Sequence, residues 1–209
     1  MSAVLDVVIP CYNYADRVTH AVQSALACDV VAKVIVVNDG STDNSAAVLS
    51  ALANKVGPRL EVLEQANAGP SRARNAGLAL TQSPWVMLLD ADDELVPSGV
   101  KSALEMLVAA KDQDLILCAA EAVRDGQRPR LRPAPTSLPS NLFSAFLDGK
   151  IPISHGRFIA SRSLIRRIPY PEAIRGQEDL PVYALMMALG RPMVCPAVTV
   201  RIQHHDASL

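Results

Sequence analysis

Short apolar runs alternate with amphipathic stretches from the start of the chain to about residue 120, and this alternation constrains the fold more than any other feature. The runs at 4–10 (VLDVVIP), 33–37 (KVIVV), 60–63, 85–89 (WVMLL) and 114–120 have the length of strands. Between them, Val18, Ala21, Val22, Ala25 and Leu26 fall on one face of a helix. Further helices are predicted over 45–52, over 70–80 with Pro70 at a favoured first position, and over 98–110. Strands separated by a helix are joined by crossovers and run parallel. The pattern therefore predicts an α/β fold with a mainly parallel central sheet flanked by helices. Open sheets of this kind bind ligands at the carboxyl ends of their strands, and polar turns stand at those ends here.

The pattern changes after residue 120. Asp125-Gly126 reads as a hairpin turn, and 127–140, with four prolines and three arginines, reads as a surface loop. Helices near 142–147 and 180–189 and a strand near 193–202 follow. A length of 209 residues suits a single domain, read as a half over 1–120 and a second half over 121–209. The formal net charge of −1 argues against a protein that coats nucleic acid, so no nucleic-acid partner is expected. That neutrality is a cancellation. Residues 1–120 hold 8 Lys+Arg and 14 Asp+Glu, whereas 121–175 hold 10 and 4. No apolar stretch has the length of a membrane span, and the first residues do not read as a secretion signal, so a cytoplasmic location is expected. Cys11, Cys28, Cys118 and Cys195 lack metal or redox spacing and read as reduced, individually packed thiols.

The strongest local signal is Asp90-Ala91-Asp92-Asp93 directly after an apolar strand. Carboxylates this close repel one another unless a cation or hydrogen-bond donors compensate them. Hard oxygen ligands suit Mg²⁺ or Mn²⁺, while a solvated turn with Asp92 or Asp93 as a helix cap is the plainer reading. Asn38-Asp39-Gly40-Ser41 ends another strand and, alone, is a strand-to-helix turn. In the block Asn67-Ala68-Gly69-Pro70-Ser71, followed by Arg72, Arg74, Asn75 and Gly77, the arginines suit phosphate or a surface ion pair. Glu178 and Asp179 open an apolar helix, where carboxylates suit the helix dipole and one can also serve as a general base.

Taken in order, PCYNY (10–14), VVNDGSTD (36–43), NAGPSRARNAG (67–77), LLDADD (88–93), QEDL (177–180) and RIQHHDAS (201–208) resemble the family 2 glycosyltransferases of Rossmann-like GT-A fold. The resemblance covers nearly the whole chain. It implies that Pro10, Tyr12 and Asn13 line the base and ribose pocket, and that Asp39 binds the base edge. Gly69, Arg74 and Asn75 become neighbours of the nucleotide or donor sugar. Asp90 is implied near ribose or sugar hydroxyls, Asp92 as the direct metal ligand, and Asp93 as a support of the site or a residue that orients the sugar. Asp179 is the implied catalytic base. His205, aligned with Ser208 in the family's His-x-x-Ser ending, is implied as a metal or diphosphate contact, with His204 adjacent. Gln177 departs from the pattern by standing where the family often has glycine.

The activity so implied is metal-dependent, inverting transfer of a sugar from a nucleotide-diphosphate sugar to a hydroxyl acceptor in surface polysaccharide or glycolipid synthesis. A UDP-sugar is the favoured donor, Mn²⁺ or Mg²⁺ the cofactor, and a lipid-linked saccharide a candidate acceptor. Lys150 and the arginines at 124, 128, 130, 132, 157, 162, 166, 167 and 175 suit an anionic acceptor or a peripheral membrane contact; a solvated basic face is the plainer reading. Two rivals remain. A sugar nucleotidyltransferase calls for a glycine- and arginine-rich phosphate loop after the first strand, where Pro10-Cys11-Tyr12-Asn13-Tyr14 stands instead. A catalytically silent module of the same fold would be expected to lose Asp92 or Asp179, and both are present.

Overall fold

The structure is a computed structural model that describes residues 3–124, 127–139, 142–151 and 153–204. The predicted runs form β1 (Leu5–Cys11), β2 (Val31–Asp39), β3 (Leu60–Gln65), β4 (Trp85–Leu88) and β6 (Leu115–Arg124). Helices α1 (Val18–Leu26), α2 (Ser45–Val56), α3 (Pro70–Leu80) and α4 (Pro97–Ala109) separate them. The later part adds α5 (Leu142–Leu147), β8 (Phe158–Ser161), α6 (Arg162–Ile165), α7 (Asp179–Leu189) and β9 (Pro192–His204). Two short strands, β5 (Glu94–Leu95) and β7 (Arg130–Arg132), complete the set.

Period-two alternation buries both faces of the sheet. In β1, Val7, Ile9 and Cys11 face one core and Val8 the other; in β2, Val34 and Val36 oppose Ile35 and Val37. The first core is closed by α1, α2 and α4, the second by α3, α5, α6 and α7. Gly77 lets α3 lie close on this second face, since a Cβ there would collide with the Val8 side chain.

Strand order is β3-β2-β1-β4-β8-β6-β9-β5, with β7 paired to β6. The crossover argument holds through β3, β2, β1 and β4, which are parallel, and β9 lies parallel to β6. Between β4 and β6 stands β8, antiparallel to both. That reversal has a functional consequence. An antiparallel strand brings its entry, not its exit, to the edge where the parallel strands end. The segment just before β8 therefore reaches the carboxyl end of β4, where the Gly156 N–H donates to the Leu88 carbonyl at 2.7 Å.

Three sequence readings change. Part of the presumed loop over 127–140 is strand, because Arg130, Leu131 and Arg132 pair with Ala122, Glu121 and Ala120 at the edge of β6. Arg157 does not belong to the basic surface. It is 1% exposed, and its guanidinium donates to the carbonyls of Cys118 at 3.0 Å and Pro133 at 2.9 Å. All four cysteines are free and buried, but Cys118 and Cys195 are hydrogen-bonded partners rather than individually packed, and that bond draws the Cys195 thiol down while it pushes the Cys118 thiol up. The Asp125-Gly126 turn lies outside the described residues. Among the described residues, no helix is long and apolar enough to cross a membrane.

Candidate active site

The loops after β1, β2 and β3 are held together by side chains that the sequence nominated for ligand contact. Asp39 ends β2 and is 3% exposed. Its Oδ1 accepts from Gln65 Nε2 at 2.6 Å and from the Ala68 N–H at 2.9 Å, and its Oδ2 accepts from the Gly69 N–H at 2.8 Å. The carboxylate thus pins the turn that starts α3. Gly40 next to it has φ +66°, and any Cβ there would come within 2.6 Å of the Asn67 nitrogen. Asn13 works similarly between the loops after β1 and β2. With φ +60°, it accepts at Oδ1 from the Thr42 N–H at 2.8 Å, while its own N–H donates to Ser41 Oγ at 2.9 Å. Tyr12 stands beside it 45% exposed, and Pro10 is half-buried.

A buried ionic network crosses the carboxyl edge of the sheet. Arg74, one turn into α3, donates from Nη1 to Glu178 Oε1 at 2.8 Å and from Nη2 to Asp90 Oδ1 at 3.2 Å. Its guanidinium carbon lies 5.3 Å from the centre of the Tyr170 ring. The second Asp90 oxygen lies 3.1 Å from His155 Nδ1, and His155 Nε2 lies 3.1 Å from the Tyr170 hydroxyl. Burial opposes the Asp90 charge, yet His155 and Arg74 hold its carboxyl well below the usual range. Burial likewise opposes the charge on Glu178, and backbone hydrogen bonding and Arg74 hold it down. Arg74 is kept charged by Asp90 and Glu178 against its own burial.

Asn75, the next residue of α3, clasps the Tyr170 backbone. Its Oδ1 accepts from the Tyr170 N–H at 2.8 Å, and its Nδ2 donates to the Tyr170 carbonyl at 2.9 Å and to Glu172 Oε1 at 3.3 Å. The nominated side chain therefore places the aromatic ring under Arg74.

The acidic turn after β4 is short of positive charge. Asp93 is 4% exposed and accepts the Gln203 N–H at 2.9 Å, which braces the turn against β9. Burial and the charges of Asp90, Asp92 and Glu94 push its carboxyl up to about 8. Asp92 is hydrogen-bonded by the Tyr14 phenol, which burial and the Asp92 and Asp90 charges push up to about 12. Among the described residues, no three His, Cys, Asp or Glu side chains form a metal cage. A Mg²⁺-like ion needs none, because one or two carboxylates plus substrate phosphates hold it. The hard carboxylate oxygens of this turn are of the donor type that such an ion takes. His205 lies outside the described residues; His204 ends β9 with its Nε2 3.2 Å from Arg132 Nη2.

The acidic pair divides its work. Gly176 and Gln177 both have left-handed backbones, with φ +77° and +56°, so Gln177 adopts a conformation that favours glycine. The resulting turn starts α7 at Asp179, with Glu178 directed to Arg74 and the half-buried Asp179 carboxylate at the positive end of the helix. Beside this turn, a cavity of about 180 Å³ opens between residues 68–71 and residues 172–176. His155 and Tyr170 escaped the sequence reading. A single histidine before an apolar run carries no motif, and only the reversed β8 brings it to Asp90.

The sequence model described as "Glycosyl transferase family 2" matches residues 6–170. The succinoglycan biosynthesis protein ExoU of Rhizobium meliloti (strain 1021) is 33% identical over 198 residues, covering 88% of this chain and 57% of that protein. ExoO of the same organism, also described as a succinoglycan biosynthesis protein, is 30% identical over 199 residues, covering 88% and 55%. The chain thus spans a little over half the length of these curated relatives. Among solved structures, S. aureus TarS 1-349 in complex with UDP-GlcNAc superposes with a TM-score of 0.78 at 21% identity, covering 100% of this chain and 60% of that one. That likeness supports the GT-A fold.

Proposed function

The chain belongs to glycosyl transferase family 2, and from that membership we propose that it moves a sugar from a nucleotide-diphosphate sugar to a hydroxyl acceptor with inversion at the anomeric carbon. The observation that carries this reading is the pair of hydrogen bonds that Arg74 donates to Asp90 and Glu178, which joins the end of β4 to the start of α7. A donor-side carboxylate and the carboxylate next to the proposed base are thereby held in one rigid frame. A UDP-sugar is the favoured donor, consistent with the UDP and UDP-GlcNAc complexes of TarS. The names of ExoU and ExoO support an acceptor in polysaccharide assembly.

In this reading Asp90 faces ribose or sugar hydroxyls while Arg74 and His155 fix its rotamer. Asp92, with diphosphate oxygens and His205, would hold a Mn²⁺ or Mg²⁺ ion, and Asp93 supports the turn. When bound, such an ion supplies positive charge against the leaving diphosphate. Asp179 takes the acceptor's proton. An aspartate titrates near ~3.9, far below an alcohol, so the proton moves as the new bond forms. One base without a second nucleophile leads to direct displacement.

Calorimetric titration with UDP, with and without Mn²⁺, is the test. Binding that strengthens with Mn²⁺ and weakens in Asp92→Asn supports the reading; UDP binding indifferent to both removes the metal assignment. A donor panel assayed for transfer then names the sugar.

A further inference from the structure

The ends of β6 and β9, with β7 beside them, gather basic side chains on one face. Register sets Arg132 of β7 opposite Ala120, Arg130 opposite Ala122, and Arg124 of β6 opposite His204 of β9. Ala120 and Val200 turn into the first core, so period-two alternation puts Arg124, Arg130, Arg132 and His204 on that same face. Among the described residues, none of the three arginines makes an ion pair.

Arg132 is held in place from two directions. Buried Arg157 donates to its carbonyl at 3.3 Å and to that of Pro133 at 2.9 Å, which pins the end of β7. Its own Nη2 lies 3.2 Å from His204 Nε2. A guanidinium only donates, so His204 accepts at that nitrogen and does not offer it to a metal. The bond uses one of the five N–H donors of Arg132 and leaves others for a ligand.

The acidic turn after β4 stands at the same strand end. Its Ala91 is buried in the same first core, and its Asp93 accepts the N–H of Gln203, the residue before His204. Carboxylates therefore lie to one side of the end of β9 and guanidinium groups to the other. A diphosphate matches that division, because a hard ion bridges it to carboxylates while its remaining oxygens take charge-assisted bonds from a guanidinium fork. Resting on the nucleotide-sugar reading, we propose that Arg132, oriented by His204 and by the Arg157 clasp on β7, binds the diphosphate of the donor and stabilises the charge that develops on it as the sugar leaves.

NMR titration with UDP and with uridine, which has the same base and ribose but no phosphate, tests this. Arg132→Gln should weaken UDP binding about tenfold and leave uridine binding at the wild-type level. Arg132→Lys keeps the charge but loses the planar fork, and should fall between the two. Arg128→Gln removes a neighbouring exposed cation and should bind UDP as wild type does. The proposal is overturned if Arg132→Gln binds UDP normally, if uridine binding falls by the same factor as UDP binding, or if Arg128→Gln loses as much as Arg132→Gln. Failure of the wild-type protein to bind UDP would defeat the nucleotide-sugar reading before any variant is compared, so the two failures are distinguishable.

Discussion

Arg74 and Glu178 are 104 residues apart in the chain and meet at 2.8 Å, with only 8% and 13% of their side chains exposed. Because the same guanidinium also holds Asp90, one side chain from α3 sets the separation between β4 and α7. A buried charge without its partner is costly, so the network is held as a unit.

Glu178→Gln should therefore destabilise the fold, and Arg74→Met should do so more strongly, by roughly 3 kcal/mol. The Glu178 contribution also has a defined pH dependence. Its folded-state pKa is depressed, so its stabilisation is present above the ordinary carboxylate range and is lost as pH falls through the depressed value. Urea unfolding of wild type and Glu178→Gln at neutral pH and at a pH below the ordinary carboxylate range checks this. A difference that stays constant into acid would show that the charge on Glu178 is not what stabilises.

Asp179→Asn should retain UDP affinity and lose transfer by about a hundredfold or more. Glu178→Gln, which disturbs the donor-side frame, should alter donor KM as well. Transfer and titration run on the same preparations separate the two roles. Normal turnover in Asp179→Asn would eliminate that residue as the base.

The elements of the parallel half were legible because each depends on a local period. Residues 7–9 alternate between two cores, and Val18, Ala21, Val22 and Ala25 lie on one helix face whatever surrounds them. Antiparallel β8 was not legible, since its placement depends on pairing with two strands far away in the chain. His155 went unseen for the same reason. Site residues could be nominated from motif order, but their contacts could not. Asp39 and Asn75 carry backbone-clasping bonds that no spacing reveals.

Those clasps give Asn75 a distinct signature. Asn75→Ala leaves both the N–H and the carbonyl of Tyr170 without this amide, and should cost about 1–3 kcal/mol. The sequence placed Asn75 beside the nucleotide; the observed bonds favour support of the Tyr170 ring. Calorimetric UDP titration beside thermal unfolding decides between them. Lower stability with a near-normal Kd is expected, and the reverse would restore direct contact.

Gln177 holds its left-handed backbone without the freedom of glycine. Gln177→Val should lose about 1–2 kcal/mol, because a β-branched side chain fits that region worst. Gln177→Gly should be close to neutral, since relief of strain is offset by about 0.5–1 kcal/mol of unfolded-chain entropy. Melting temperatures of the pair check the backbone argument, and transfer rates show whether the turn also aims Asp179. Equal stability of the two variants would mean that this φ imposes no strain.

Removing Arg157 from the basic surface leaves a more defined one at the β6–β7 edge. Arg124, Arg128, Arg130 and Arg132 are all exposed there, and Leu131 between two of them is 58% exposed. Each such cation contributes about 1 kcal/mol near an anionic lipid surface, screened by salt. The chain should therefore sediment with phosphatidylglycerol-containing vesicles at low salt, less at high salt, and not with phosphatidylcholine alone. Arg128→Glu combined with Arg130→Glu should abolish sedimentation while leaving UDP affinity intact, because neither side chain touches the network around Arg74. Binding indifferent to lipid charge, or to that double substitution, would leave these arginines as a solvated face.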